Sequence, residues 1–186
     1  MIQFNAEQIR RAEMLLGQIR GAIPKVQARA INRAAVAAKT SIVEQARKEY
    51  YVSVAGVRDK IKITNATEEK PYARIKAKGT RIELVNFKTD PNAVGKRTSV
   101  LKVAVVKGGG FKELPGAFLA KGISSGKVHV LKRTGKERYP IHIKYGISVP
   151  EMIGSNKVRL VVEERAREVL DNRLEHEINR VLEGHI

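Results

Sequence analysis

GGGFKELPGAFLAKGISSGKVHVLKRTGKERYPIHIKYGISVPEMIG, residues 108–154, decides the fold class. Its apolar runs, Ala117 to Ala120 and Val128 to Leu131, are too short for helices and are bounded by Gly, Pro or basic turns. That pattern describes short β-strands. Gly108-Gly109-Gly110 ends whatever precedes it, and the Gly/Ser loop Lys121 to Lys127 separates the two strands. Lys132 to Tyr139 (KRTGKERY) reads as a basic turn.

Toward the N-terminus, Val100 to Val106 is apolar on nearly both faces, as a central strand would be. Lys88 to Ser99 (KTDPNAVGKRTS) is a polar loop with Asp-Pro and Gly turn signals. Before it, Ala73, Ile75 and Ala77 alternate with Arg74, Lys76 and Lys78; Gly79-Thr80 interrupts and residues 81–85 (RIELV) resume. This predicts a hairpin with a basic outer face. Upstream of Ile61 the period becomes helical. Asn5 and Gln8 form a capping-box pattern with Phe4 and Ile9 as staple, and Ile9, Ala12, Leu16, Ile19 and Ile23 make a stripe ending near Gly21. Pro24 suits the first turn of a second helix reaching about Tyr50, with a stripe of Ile31, Ala34 or Ala35, Ala38, Ile42 and Ala46. Lys25, Arg29 and Arg33 stack on one face of that helix, and like charges at this spacing weaken an isolated helix, which an anion facing them would offset. Carboxylates of the C-terminal helix and an external partner both qualify. Ser53 is expected to cap a short turn through Val57 to Lys60.

Toward the C-terminus, Gly154-Ser155 starts a last helix with the stripe Val158, Val162, Ala166, Leu170, Leu174, Ile178 and Leu182, stopped by Gly184. The predicted fold is α+β: two N-terminal helices, an antiparallel sheet of about five strands and one long C-terminal helix. A single domain over 1–186 is expected, helical over 1–60, β-rich and basic over 61–150, and closed by the helix 155–183.

At 186 residues and 42% hydrophobic content the chain is long and apolar enough to bury a core. Cysteine is absent, which excludes disulfides, zinc–thiolate sites and thiol nucleophiles. The first residues carry charges where a signal peptide would be apolar, and no apolar run approaches the roughly 18 residues of a membrane span. A soluble protein made in a cytosol is expected, with no membrane partner. Charge is the strongest signal: 36 Lys+Arg against 19 Asp+Glu. Residues 61–150 hold 19 basic and 6 acidic side chains, whereas residues 151–186 hold 6 and 8. So uneven a field favours an anionic partner, nucleic acid or an acidic protein surface, over a merely solvated face.

Chemistry-bearing motifs are poor by comparison. Gly122-Ile123-Ser124-Ser125-Gly126-Lys127 has three residues between its glycines where a phosphate loop needs four, and Val128 stands in place of Ser or Thr. His129, His142, His176 and His185 show no metal-ligand spacing; Glu83, Asp90, Glu113 and Glu137 form no acid–base pattern; Ser124 and Ser125 lack nucleophile-elbow context. These residues propose no catalytic, cofactor or metal site, and an enzyme is not expected. The aromatics Tyr50, Tyr51, Tyr72, Phe87, Phe111, Phe118, Tyr139 and Tyr145 are scattered, and most are assigned to core or turn packing. What remains is phosphate or partner contact by loop cations. The candidates are Lys88, Lys96, Arg97, Lys121, Lys127, Lys132, Arg133, Lys136 and Arg138.

Several stretches share one further pattern. They are residues 28–35 (ARAINRAA), residues 49–53 (EYYVS) with 57–61 (VRDKI), and residues 77–79 (AKG) with Ile82, Glu83, Leu84 and Phe87. Leu114-Pro115-Gly116-Ala117-Phe118, Tyr145-Gly146, Val149-Pro150, Met152 and residues 173–178 (RLEHEI) follow in order. In these residues, over roughly 25–180, the chain resembles the minor tail protein Z family, the tail completion proteins of long-tailed bacteriophages. The resemblance implies a structural virion protein, a tail-completion-like domain with no catalytic residues to carry over. It would act at the head-proximal end of the tail, in head–tail joining and genome-end positioning. A homo-oligomeric ring, hexameric by analogy with other neck proteins, is implied, stacked on the tail terminator and meeting head-completion or portal-side neck proteins. A basic lumen would touch phage DNA. The alternative is a basic protein that binds nucleic acid without sequence preference.

Overall fold

The computed structural model describes residues 6–17, 19, 21–95, 100–122 and 126–184. The chain forms two compact units: Met1–Gln45, Ile61–Ala77 and Ser155–Ile186 in the first, Ala46–Lys60 and Lys78–Gly154 in the second.

The first unit is built from three helices and a hairpin: α1 (Ala6–Leu16), α2 (Ala22–Glu49, whose last residues belong to the second unit), β1 (Ile61–Thr64), β2 (Arg74–Ala77) and α5 (Asn156–Leu182). α1 is shorter than its apolar stripe suggested. It closes at Leu16 before Gly17, and Ile23 belongs to α2; a helix-interior glycine costs about 1 kcal/mol relative to alanine. The core joins Ala12 and Leu16 of α1, Val26, Ala30, Ile31, Ala34 and Ala35 of α2, and Leu170, Leu174, Ile178 and Val181 of α5. The small α2 side chains allow close helix packing. The hairpin is tied to α2 by polar contacts. Asn32 Nδ2 donates to Ala66 O (3.0 Å), Ala66 N donates to Asn32 Oδ1 (2.7 Å), and Lys39 Nζ donates to Ile61 O (2.9 Å). A buried acid completes this unit. Glu177 is fully buried, with Arg173 Nη2 at 2.7 Å, Arg29 Nη1 at 3.7 Å and Arg180 Nη1 at 3.8 Å. For Arg29 the anion opposite the basic ridge of α2 is therefore internal. Arg33 lines an open cleft of about 420 Å³ between α2 and α5, together with Glu44 and Arg165.

The second unit holds α3 (Val54–Arg58), β3 (Lys88–Asp90), β4 (Leu101–Ala104), β5 (Lys112–Leu114), β6 (Ala117–Lys121), β7 (Val128–Arg133), β8 (Ile141–Ile143) and α4 (Val149–Gly154). Ser53 caps α3 as expected, its Oγ accepting from Gly56 N at 3.0 Å. α4, not foreseen, carries a reciprocal capping box: Glu151 Oε2 accepts from Ser148 N (2.6 Å) and Ser148 Oγ from Glu151 N (3.4 Å).

The fold is α+β, with differences in the sheets. The one sheet of about five strands is instead eight described strands in three antiparallel sheets, ordered β1-β2, β3-β4-β5 and β6-β7-β8. Residues 73–77 do not pair with 81–85. β2 pairs back onto β1 in the register Ile61↔Ala77 to Thr64↔Arg74. Residues 82–84 bond to 144–147 instead, through Ile82 N to Ile147 O, Leu84 N to Lys144 O and Gly146 N to Ile82 O. That pairing buries Leu84. The polar loop from Lys88 begins with strand β3, which flanks the predicted central strand β4. Leu114-Pro115-Gly116-Ala117 turns the chain from β5 into β6, and Gly116 has φ +73. Pro then Gly with positive φ is the requirement of a type II turn.

Candidate functional site

The β6-β7-β8 sheet positions most of the predicted cations. Its register pairs Lys121 with Val128 at one end and Ala117 with Lys132 at the other. The five-residue strand β6 spans roughly 13 Å at about 3.3 Å per residue. Lys121 and Lys127 therefore stand at one end, and Lys132, Arg133, Lys136 and Arg138 gather at the other; all six are exposed. The second group carries aromatic backing. The Arg133 guanidinium lies 4.9 Å from the Phe118 ring centroid, and that of Arg138 lies 5.7 Å from Tyr139. Such contacts hold a long cationic side chain over a ring without neutralising it. Lys88 belongs to a different sheet and is not part of either group. Lys96 and Arg97 lie outside the described residues.

Lys88 has neighbours that sequence order conceals. Its Nζ is 5.3 Å from the Tyr51 ring centroid and 5.4 Å from that of Phe111, and Lys107 Nζ is 5.8 Å from Tyr51. Arg47, Tyr51, Lys88 and Lys107 line an open cleft of about 290 Å³ whose lining has no carboxylate. Three chain segments meet here, which is why residue spacing could not reveal it. The aromatics assigned to core or turn packing divide between the interior and the surface. Phe87 is buried, but Tyr72, Phe111, Tyr139 and Tyr145 are 36–61% exposed. Tyr72 likewise carries a cation, Arg74, at 5.9 Å.

The titratable groups assemble less. His129 Nδ1 lies 2.7 Å from Glu83 Oε2, both partly buried, whereas His142 is exposed on β8 opposite Lys132. Among the described residues no three His, Asp or Glu side chains converge as metal ligands. Glu151 has its carboxyl held below the usual glutamate range, first by the Ser148 backbone N–H and then by the Ser148 hydroxyl. A second cleft of about 430 Å³ beside β4 is lined by apolar groups such as Leu84, Val103, Val106 and Leu114. No helix among the described residues is long and apolar enough to cross a membrane.

By composition, net charge and exposed cation–aromatic pairs, this is a strongly basic α+β protein whose surface groups suit contact with anions. The chain belongs to the prophage minor tail protein Z family, whose pattern it matches over residues 10–185. It is accordingly a phage minor tail protein, a component of the virion tail. It is 30% identical over 131 residues to the tail completion protein of Escherichia phage N15, covering 69% of this chain and 68% of that protein. It is 28% identical over 175 residues to tail completion protein Z of Escherichia phage lambda, covering 87% and 89%. No solved structure matches the chain significantly.

Proposed function

We propose that this protein completes the phage tail at its head-proximal end, as a structural, non-catalytic neck component that joins tail to head and positions the genome end. The observation that carries the reading is similarity over most of the chain to two proteins named for tail completion. In this reading the protein forms a hexameric ring between the tail terminator and the head-completion or portal-side neck proteins. The candidate cations of the second unit face DNA or acidic partner subunits. That unit holds 19 of the chain's 36 basic side chains and only 7 of its 19 acidic ones, which supports an anionic contact. Ring closure uses heterologous interfaces, for which exposed loops and strand edges are suited.

The test is electron microscopy of particles from a producing lysate, with the protein tagged and gold-labelled. Label at the head–tail junction, or at one end of free tails, is the expected result. Label absent from particles and spread over nucleic acid would replace this reading with that of a basic, non-sequence-specific nucleic-acid-binding protein.

A further inference from the structure

We infer that the cleft lined by Arg47, Tyr51, Lys88 and Lys107, with the Phe111 ring beside Lys88, is a binding site for unpaired nucleotides, and that single-stranded DNA is its ligand. The inference rests on the reading above that the second unit meets DNA, and it gives that contact a place and a strand state. Three cations, Arg47, Lys88 and Lys107, line or overhang one opening of about 290 Å³ whose lining has no carboxylate. Cations converging on a lining that holds no carboxylate favour a ligand that brings negative charge.

The rings decide which anion. Lys88 Nζ lies between Tyr51 and Phe111, 5.3 and 5.4 Å from their centroids, and Lys107 Nζ is 5.8 Å from Tyr51. Phe111 is 43% exposed, unusual for a large aromatic side chain. Amines resting on ring faces are held by the ring quadrupole. An arriving phosphate, with a full charge, draws the ammonium groups off those faces and leaves the rings free for a base to stack on. Alternating cation and ring is the combination that single-strand binders use, since phosphates need the first and every base has a π-face for the second. An acidic peptide would use the lysines and leave the rings idle. A duplex would do the same, because its bases remain stacked on one another.

The experiment is a fluorescence-anisotropy titration of the purified chain with a labelled oligothymidylate of about twelve nucleotides, within the usual footprint of such sites. A duplex of equal length and polyglutamate serve as controls. The wild type is expected to prefer the single strand. Phe111→Leu, at an exposed position, and Tyr51→Leu are each expected to weaken single-strand binding about fivefold or more and leave duplex binding unchanged. Lys88→Gln and Lys107→Gln should weaken both and lower the salt slope by about one each. Ring variants that bind the single strand as the wild type does would overturn the inference. So would polyglutamate competing equally against wild type and ring variants, which would assign the cleft to an acidic protein. Gold label missing from particles would refute the neck reading whatever the titration gave. A flat titration would refute the cleft wherever the label fell.

Discussion

Replacing Arg173 with Met should destabilise the first unit more than replacing Glu177, the acid it holds, with Leu. Glu177 is fully buried, with guanidinium nitrogens at 2.7, 3.7 and 3.8 Å from Arg173, Arg29 and Arg180. Neither carboxylate oxygen receives a well-angled hydrogen bond among the described residues. The node is thus held by charge proximity, and the closest charge matters most. Arg173→Met keeps the aliphatic stem and leaves a buried carboxylate with two more distant cations. Breaking a buried pair from that side costs about 3–5 kcal/mol. The two remaining guanidiniums place this case near the lower end, about 3 kcal/mol. Glu177→Leu removes the buried charge itself and fills its space with apolar volume. The three arginines, 34–41% exposed, keep access to water, so that change costs within about 1 kcal/mol and can be neutral. For a chain of this length, Arg173→Met should lower Tm by about 6–12 °C, at roughly 2–4 °C per kcal/mol. Urea and thermal unfolding followed by circular dichroism measure both variants. A larger loss for Glu177→Leu than for Arg173→Met would refute the account of the node.

Other outcomes follow from single contacts. Gly146→Ala would place a Cβ 2.8 Å from Phe87 Cε2 and 3.1 Å from Leu84 Cδ2, overpacking a buried ring at a cost of about 1–3 kcal/mol; a Tm equal to wild type would sink this, and Phe87→Leu should recover part of the loss. Asn32→Ala strands the N–H and C=O of Ala66, a loss of about 2 kcal/mol by urea melt, and hydrogen exchange should quicken at Ala66 first. The Glu151 carboxyl is lowered in the fold, so its stabilisation is complete above the ordinary glutamate pKa and lost as pH falls through the depressed folded value. Glu151→Gln should therefore flatten the acid limb of a stability–pH curve, and an unchanged limb would contradict the capping assignment. Lys132, Arg133, Lys136 and Arg138→Glu together, exposed at the end of β7 and in the turn after it, should leave the melting curve intact and reduce the yield of infectious particles; normal titre would remove this end of the sheet from the assembly contacts.

Helices were legible because their period is local. α2 was expected to reach about Tyr50 and ends at Glu49. Six of the seven stripe residues of α5 are buried, and Leu182 is 54% exposed. Four-residue steps drift about 40° each around a helix of 3.6 residues per turn, and the buried line returns by a three-residue step to Val181. Strand pairing was not legible. Alternation at 73–77 marks a strand but carries no information on its partner, and at 81–85 it gives way to a 3-10 turn over Leu84–Asn86, so the nearest segment is the wrong partner. The capping box Ser148-x-x-Glu151 is a signal that the sequence carries on its face, a Ser followed three residues later by a Glu. The loop cations were readable as residue types. Arg47, Tyr51, Lys88 and Lys107 were not readable as one cleft, nor Phe111 as a neighbour of Lys88, since only folding brings them together.

The residues that carry the family pattern now have physical roles, and many of those roles lie in the frame. Asn32 clamps the backbone of Ala66, Pro115-Gly116 makes the β5–β6 turn, Gly146 leaves room for Phe87, and Arg173 and Glu177 form the buried ion node. Met152 and Val149 are buried, while Lys121, Lys127 and the basic turn after Lys132 stand outside. A pattern made of frame residues identifies a family while leaving its contact surface free to differ, since exposed lysines on loops place few demands on packing. Charge reversal on those loops should accordingly separate assembly from folding. Change at Gly146 or Arg173 should impair both together.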